Sequence, residues 1–180
     1  RGDVYKRQHH LQTWAAFTLG LDHDTVESIE ETHQFAVRHK FCFAAYNILM
    51  PYPGTPLYDR LRDEGRLLYG GKWWLHPEYR FNHAAFTPKH MSPEELPAAI
   101  WTNRERWNHP WSIFRRAWDF KTHLSSFTRL ALYLAYNPLY AKESLKKQSI
   151  LFGNIDTGRQ STHPVDVRRD CDLNSPTYTD

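Results

Sequence analysis

The sequence predicts an α/β fold followed by a mainly helical C-terminal region, and two observations carry that expectation. Between residues 12 and 50 a short aromatic segment, an amphipathic acidic segment and a second apolar segment follow one another, the strand–helix–strand order that a parallel pair requires. From Met91 onward the punctuation changes to helix caps and helical spacing.

Taking the elements in order, Gln12 to Leu19 (QTWAAFTL) is short, aromatic and β-branched enough for a buried strand, and Gly20 ends it where the backbone turns. Asp24 stands three residues before Glu27, a spacing that predicts a capping box and a helix to about Lys40. Val26, Ile29, Phe35 and Ala36 gather on its inner face, leaving Glu27, Glu30, Glu31 and His33 more exposed. Phe41 to Met50 is almost continuously apolar, as expected of a strand covered on both faces. In the proline-rich stretch MPYPGTPLYDRLRDEG, Thr55 and Pro56 offer an N-cap and a first-turn proline. Leu57 and Leu61 form a stripe, and Gly65 closes the helix.

Beyond Leu68 the chain is loop-rich to Lys89, seated by Phe81 and Phe86. Ser92, Pro93 and Glu95 then form a second capping box, with Met91 and Leu96 as its hydrophobic staple, and a helix runs to about Asn108, bent at Pro97. Further helices are predicted over 111–120, 126–136 and 138–152, the last two separated by Asn137-Pro138. After Gly153 the chain is polar and short of core residues, and 154–180 is read as a disordered tail.

Composition excludes several classes of function. With 180 residues, 41% of them hydrophobic and 15% aromatic, the chain can bury a core. Its longest apolar stretch falls well short of the roughly 18–20 residues that cross a bilayer, and no charged-then-apolar leader opens it, so a cytoplasmic protein without a membrane span is expected. Cys42 and Cys171 have neither metal-knuckle spacing nor the look of a disulfide framework. Asp3–Gln8, DVYKRQ, reverse-translates to GAT GTG TAT AAG AGA CAG, which resembles the transposon end used in preparing sequencing libraries. Residues 1–8 are therefore expected to be translated adapter and the chain a fragment. Arg1, Lys6 and Arg7 against Asp3 carry two of the three formal net positive charges, so what remains is close to neutral and gives little support for a nucleic-acid or anionic-membrane partner.

Among candidate chemical groups, Asp22-His23-Asp24 suggests metal ligation only superficially, because consecutive residues at a turn rarely converge on one ion. His9, His10, His90, His109 and His123 lack the helical i, i+4 pairing of zinc enzymes. WNHPWSIFRRAWDFK, residues 107–121, mixes aromatics with Arg115, Arg116 and Lys121. Its spacing predicts Trp111, Phe114 and Trp118 in the core with the basic residues solvated. The alternative for this segment is a non-catalytic helical module that binds nucleic acid or a protein partner through an aromatic-basic face.

The succession FTLGLDHDTVESIEETHQFA, AAYNILMPYPGTPLYDRLRDEGRLL, WW and FTPKHMSPEEL, over roughly Trp14 to Trp118, resembles the C-terminal part of radical S-adenosylmethionine enzymes that carry an N-terminal cobalamin-binding domain. PYPGTPLY with the downstream EGRL is the most specific part. The resemblance implies the C-terminal part of a partial (β/α) barrel over 9–70 and a loop-rich, then helical extension over 71–153. In such an enzyme a [4Fe-4S] cluster held by a CxxxCxxC loop cleaves S-adenosylmethionine to a 5′-deoxyadenosyl radical. The family further implies a small-molecule or lipid substrate and an electron donor such as flavodoxin or ferredoxin. This chain has no CxxxCxxC motif, so the cluster ligands and the cobalamin domain are expected upstream and the fragment itself is expected to be inactive. By position, the resemblance assigns contacts to S-adenosylmethionine to Thr18 and Gly20 on the first strand and to Asn47, Leu49, Pro51 and Tyr52 on and after the second. An amide inside an apolar run, Asn47 needs a buried partner or a ligand.

Overall fold

The computed structural model describes residues 11–146. The adapter-like residues 1–8, His9, His10, Cys171, the end of the helix predicted over 138–152 and the tail 154–180 lie outside the described residues.

Two strands, β1 (Trp14–Leu19) and β2 (Phe43–Ile48), pair in parallel, Trp14 opposite Phe43 through Leu19 opposite Ile48. Helix α1 (Val26–Arg38) connects them. One face of this sheet is covered along its length: Ala15, Phe17 and Leu19 join Ala44, Tyr46 and Ile48 in a core with Ile29, Ala36, Leu96, Ile100 and Trp107, whereas the other is covered only at its start, where Phe43 packs against Ile113, Ala117 and Tyr140. The other face carries Trp14, Ala16 and Thr18 beside Phe43, Ala45 and Asn47, and all three of these β1 residues and Asn47 are exposed. This corrects the reading of β1 as a buried strand and of β2 as covered on both faces. Alanines at 16 and 45 read as apolar in sequence, yet they are too small to anchor a packing surface, so the period-two alternation was hidden.

Helix α1 is capped by Thr25, not Asp24: Thr25 Oγ1 accepts from the Ser28 amide at 3.2 Å, and Ser28 Oγ accepts from the Thr25 amide at 2.9 Å. Its inner face also differs from expectation. His33 is buried with Ile29 and Ala36, one turn apart on one stripe, whereas Val26 and Phe35 are exposed. The imidazole is accommodated because its Nδ1 lies 3.1 Å from the Tyr46 hydroxyl.

Helix α2 (Pro56–Asp63) starts as its sequence predicts, with the Thr55 hydroxyl accepting from the Tyr58 amide, and ends before Gly65 at a φ of +66°. The following loop contains two single 3₁₀ turns, Tyr69–Gly71 and Trp73–Leu75, around a small core of Trp73, Tyr79 and Ala85.

Helix α3 (Glu95–Asn108) crosses the covered sheet face. Ser92 and Glu95 exchange box hydrogen bonds at 2.7 and 3.1 Å, and Met91 and Leu96 are both buried. Pro97 leaves the helix continuous: the Leu96 and Ala98 amides on either side bond to Ser92 and Glu94, and only one bond of the first turn is forgone.

Helix α4 (Pro110–Ala117) reverses the expected arrangement. Ile113, Arg116 and Ala117 face inward, and Trp111, Phe114 and Trp118 face out. The reason is Arg116, 1% exposed, which lies 3.6 Å from the Trp107 ring and donates to the carbonyls of Phe41, Cys42 and Trp107. One guanidinium satisfies three backbone acceptors that an indole could not reach in number.

Helix α5 (Phe127–Lys146) runs unbroken through Pro138, correcting the predicted break. Asn137 donates its side-chain amide to the Tyr133 carbonyl at 2.9 Å. The Leu134 carbonyl, which a proline cannot serve, belongs to an exposed residue, where the forgone bond costs little.

Candidate functional site at the strand ends

Both strands finish at turns shaped by their own sequence. The Gly20 and Leu21 amides donate to one carboxylate oxygen of Asp24, each at 2.8 Å, which turns the chain from β1 into α1. Gly20 has a φ of +98°, and a Cβ there would stand 2.8 Å from Leu96 Cδ2. Asp22 pairs with Arg60, with Arg66 at 3.1 Å and with Lys89 at 3.3 Å, and these cations hold its carboxyl below the usual carboxylate range. Asp22 is thus engaged by cations and Asp24 by the turn. Among the described residues no group of three His, Cys, Asp or Glu side chains could hold a metal ion.

After β2, the Leu49 amide donates to the Leu19 carbonyl at 2.8 Å and extends the parallel ladder. Pro51 is buried, and its carbonyl accepts from the Trp73 indole at 3.0 Å. Tyr52 is exposed, edge-on to Trp73, and its carbonyl accepts from both the amide and the hydroxyl of Thr55. The prolines of MPYPGTP therefore form a pinned turn that begins α2 at once.

Of the six residues singled out in the sequence, the structure brings Thr18 and Asn47 together: they are direct register partners, both exposed on the open face. Asn47 is thus not the buried amide that its apolar surroundings suggested. Gly20 and Pro51 are buried in packing roles, Leu49 is half-buried against the core, and Tyr52 stands apart on the Trp73 loop.

Beside Asn47 lies a cleft of about 200 Å³ bordered by Asn82, Arg104, Tyr140 and Glu143. Arg104 was missed by sequence reasoning. It is buried, donates through Nε to the Tyr46 carbonyl at 3.1 Å and reaches Asn82 Oδ1 at 3.2 Å. Burial lowers its pKa and raises that of the Tyr140 phenol, whose hydroxyl donates to the Ala44 carbonyl at 3.4 Å. A signal existed in the spacing Leu96, Ile100, Arg104, Trp107, which puts an arginine on the inward stripe of α3.

The chain is 30% identical over 112 residues to an anaerobic magnesium-protoporphyrin IX monomethyl ester cyclase of Cereibacter sphaeroides, covering 62% of this chain and 17% of that protein. It is 28% identical over 89 residues to a bacteriochlorophyllide d C-12(1)-methyltransferase of Chlorobaculum tepidum, covering 49% of this chain and 18% of the relative. A hopanoid C-2 methylase of Rhodopseudomonas palustris is 28% identical over 146 residues, 81% of this chain and 25% of that methylase. The chain thus spans only a sixth to a quarter of the relatives it matches, all of them enzymes by name. No family model matches it. No solved structure matches it either.

Proposed function

We propose that this chain is the C-terminal part of a radical S-adenosylmethionine enzyme, the last strands of a partial (β/α) barrel with a helical extension. On this reading its open sheet face forms one wall of the S-adenosylmethionine pocket. The observation that carries the reading is that face: two parallel strands covered by helices on one side present Ala16, Thr18, Ala45 and Asn47, small or polar, on the other toward the C-terminal strand ends, beyond Trp14 and Phe43 at the start. Parallel strands are ordinarily buried on both faces, and in a barrel the second face is the interior, with chemistry at the C-terminal strand ends. The relatives support the same reading, since one is named a cyclase and two are named for methyl transfer. Their printed substrates are large ring systems, which makes a bulky, mainly apolar molecule the proposed substrate class.

The described residues do not fit an iron–sulfur cluster. Cys42 is buried and its thiol is pushed up to about 11 by burial, the opposite of a ligating thiolate. The proposal therefore assigns the cluster ligands to sequence outside this chain, and cobalamin and an electron donor enter through the resemblance alone. S-adenosylmethionine supplies the radical when the complete enzyme binds it. The part left to this chain is binding and orientation: Thr18 and Asn47 offer a hydroxyl and an amide side by side, Leu49 and Tyr52 give apolar surface at the rim, and Gly20 and Pro51 hold the backbone in place.

The test is the complete protein. Its reading frame is expected to contain CxxxCxxC upstream, and anaerobic reconstitution under reducing conditions is expected to release 5′-deoxyadenosine. Asn47→Ala is expected to weaken S-adenosylmethionine binding by roughly tenfold, the loss of about one hydrogen bond. A frame without the motif, or a reconstituted protein that releases no 5′-deoxyadenosine, would remove the proposal.

A further inference from the structure

Two clefts lie away from the strand ends. They have volumes of about 540 and 490 Å³ and sit between the last turn of α1 and the outer side of α4. The second is walled by the rings of Trp111, Phe114 and Trp118, Trp111 also borders the first, and Phe120 continues the row; the four are 65%, 54%, 57% and 71% exposed. Successive ring centroids are 5.7, 5.8 and 6.2 Å apart, so the rings form one continuous apolar surface. Burying such a row in the core would be the ordinary solution, and Arg116 has taken that side of the helix instead.

We infer that this row is a peripheral membrane-docking surface that seats in the headgroup region of an anionic bilayer. Three cations line the cleft beside the rings, Arg38 and Lys40 from the end of α1 and Arg115 from α4, the Lys40 ammonium donating to the Trp118 carbonyl at 2.6 Å. Against them stands one exposed carboxylate on the cleft walls, Glu105. Arg106 is occupied by Glu30, and Asp119 is turned inward onto the Thr122 hydroxyl. Protruding Trp and Phe interleaved with Arg and Lys match an interface in which rings sit at the acyl boundary and cations meet lipid phosphates. Nucleic acid fits less well. The rings pack on one another, which leaves no open slots between them for bases to enter. No helix among the described residues is long and apolar enough to cross a membrane, so the association is peripheral. The row lies on the opposite side of α4 from Ile113 and Ala117, which pack on Cys42 and Phe43, so docking leaves the open sheet face free.

The test uses the 180-residue chain with vesicles of phosphatidylcholine alone or of three parts phosphatidylcholine to one part phosphatidylglycerol, read by flotation and by tryptophan fluorescence. Binding is expected only to the anionic vesicles, with a blue shift, and it should weaken as salt rises. Arg115→Glu removes one attraction and adds one repulsion, and is expected to reduce partitioning by about 25-fold, taking roughly fivefold for each charge. The triple variant Trp111→Ser, Phe114→Ser, Trp118→Ser is expected to abolish binding while its circular dichroism is unchanged, because all three rings are already exposed. Three results would each overturn the inference. They are no binding to anionic vesicles by the folded chain, equal binding by the triple variant, or a row occupied by a single-stranded oligonucleotide or a second copy of the chain in preference to lipid.

Discussion

Gly20→Ala tests whether the turn at the end of β1 is set by packing as well as by backbone conformation. The glycine sits at a φ of +98°, where an L side chain is strained by about 1–2 kcal/mol. Its new Cβ would meet Leu96 Cδ2 at 2.8 Å and Phe86 Cζ at 3.4 Å, and both partners are buried. Overpacking of a filled core adds about 1–3 kcal/mol, so the total is about 2–5 kcal/mol. Gly54→Ala separates the two contributions. Gly54 has a comparable φ of +77° with nothing within 4 Å of its Cβ position, so that variant carries only the strain. With a urea slope of about 2 kcal/mol per molar, Gly20→Ala is expected to lower the unfolding midpoint of the chain by roughly 1–2.5 M, and Gly54→Ala by less than about 1 M. Leu96→Ala should cost markedly less in the Gly20→Ala background than alone, because the methyl it removes is the one that clashes. Equal midpoints for the two glycine variants, or additive behaviour of Gly20→Ala and Leu96→Ala, would refute the packing argument.

Arg116→Ala should destabilise the chain by about 3–5 kcal/mol in the same urea assay, since three carbonyls lose their donor and Trp107 loses its cation. Arg116→Lys should recover little of that, because an ammonium cannot span acceptors on two elements. Burial lowers the His33 pKa to about 4, so the folded chain binds fewer protons there than the unfolded chain between that value and about 6.5. His33 therefore gives full stability above pH 6.5, loses it as pH falls toward 4, and accounts for about 3 kcal/mol of acid sensitivity. His33→Gln should flatten that part of a stability-against-pH curve measured by urea midpoint. Asp22, held ionised by its cations, makes its own loss only at lower pH, as it is protonated. Thr18→Val and Asn47→Ala, both on the open face, should change the stability of this chain by less than about 0.5 kcal/mol, and a larger effect would mean that the face is packed.

What the sequence made legible were features written in local chemistry. Thr55-Pro56, the Ser92–Glu95 box and Gly65 each act within a few residues, and each stands where the spacing put it. What it hid depended on distant partners. His33 reads as a surface residue until Tyr46, thirteen positions on, supplies its hydrogen bond. Arg116 reads as solvated until the carbonyls of Phe41 and Cys42 arrive from another element, and once it turns inward the aromatic row must turn out. Asp24 reads as the helix cap because it lies three residues before Glu27. Two free amides at the strand end compete for its carboxylate, and Thr25 takes the cap. At the candidate site the turns were readable and Arg104 was not, since nothing local marks an arginine that serves a carbonyl 58 residues away.

The carbonyls of β2 also give the sheet a direction. Ala44 and Tyr46, two residues apart and so on one edge of the strand, accept from side chains: Ala44 from the Tyr140 hydroxyl, Tyr46 from Arg104. A neighbouring strand would need those acceptors, and the side chains from α3 and α5 that hold them stand where it would run. β2 is thereby closed on that edge, and β1 is its one strand partner among the described residues. Any further strand joins through the other edge of β1. For the proposed barrel, this makes β2 the terminal strand and places Asn47 at the end of the curved wall, beside the cleft of Arg104 and Asn82. There a ligand would meet the final strand and the helical extension together, which is where residues outside the sheet can decide what binds.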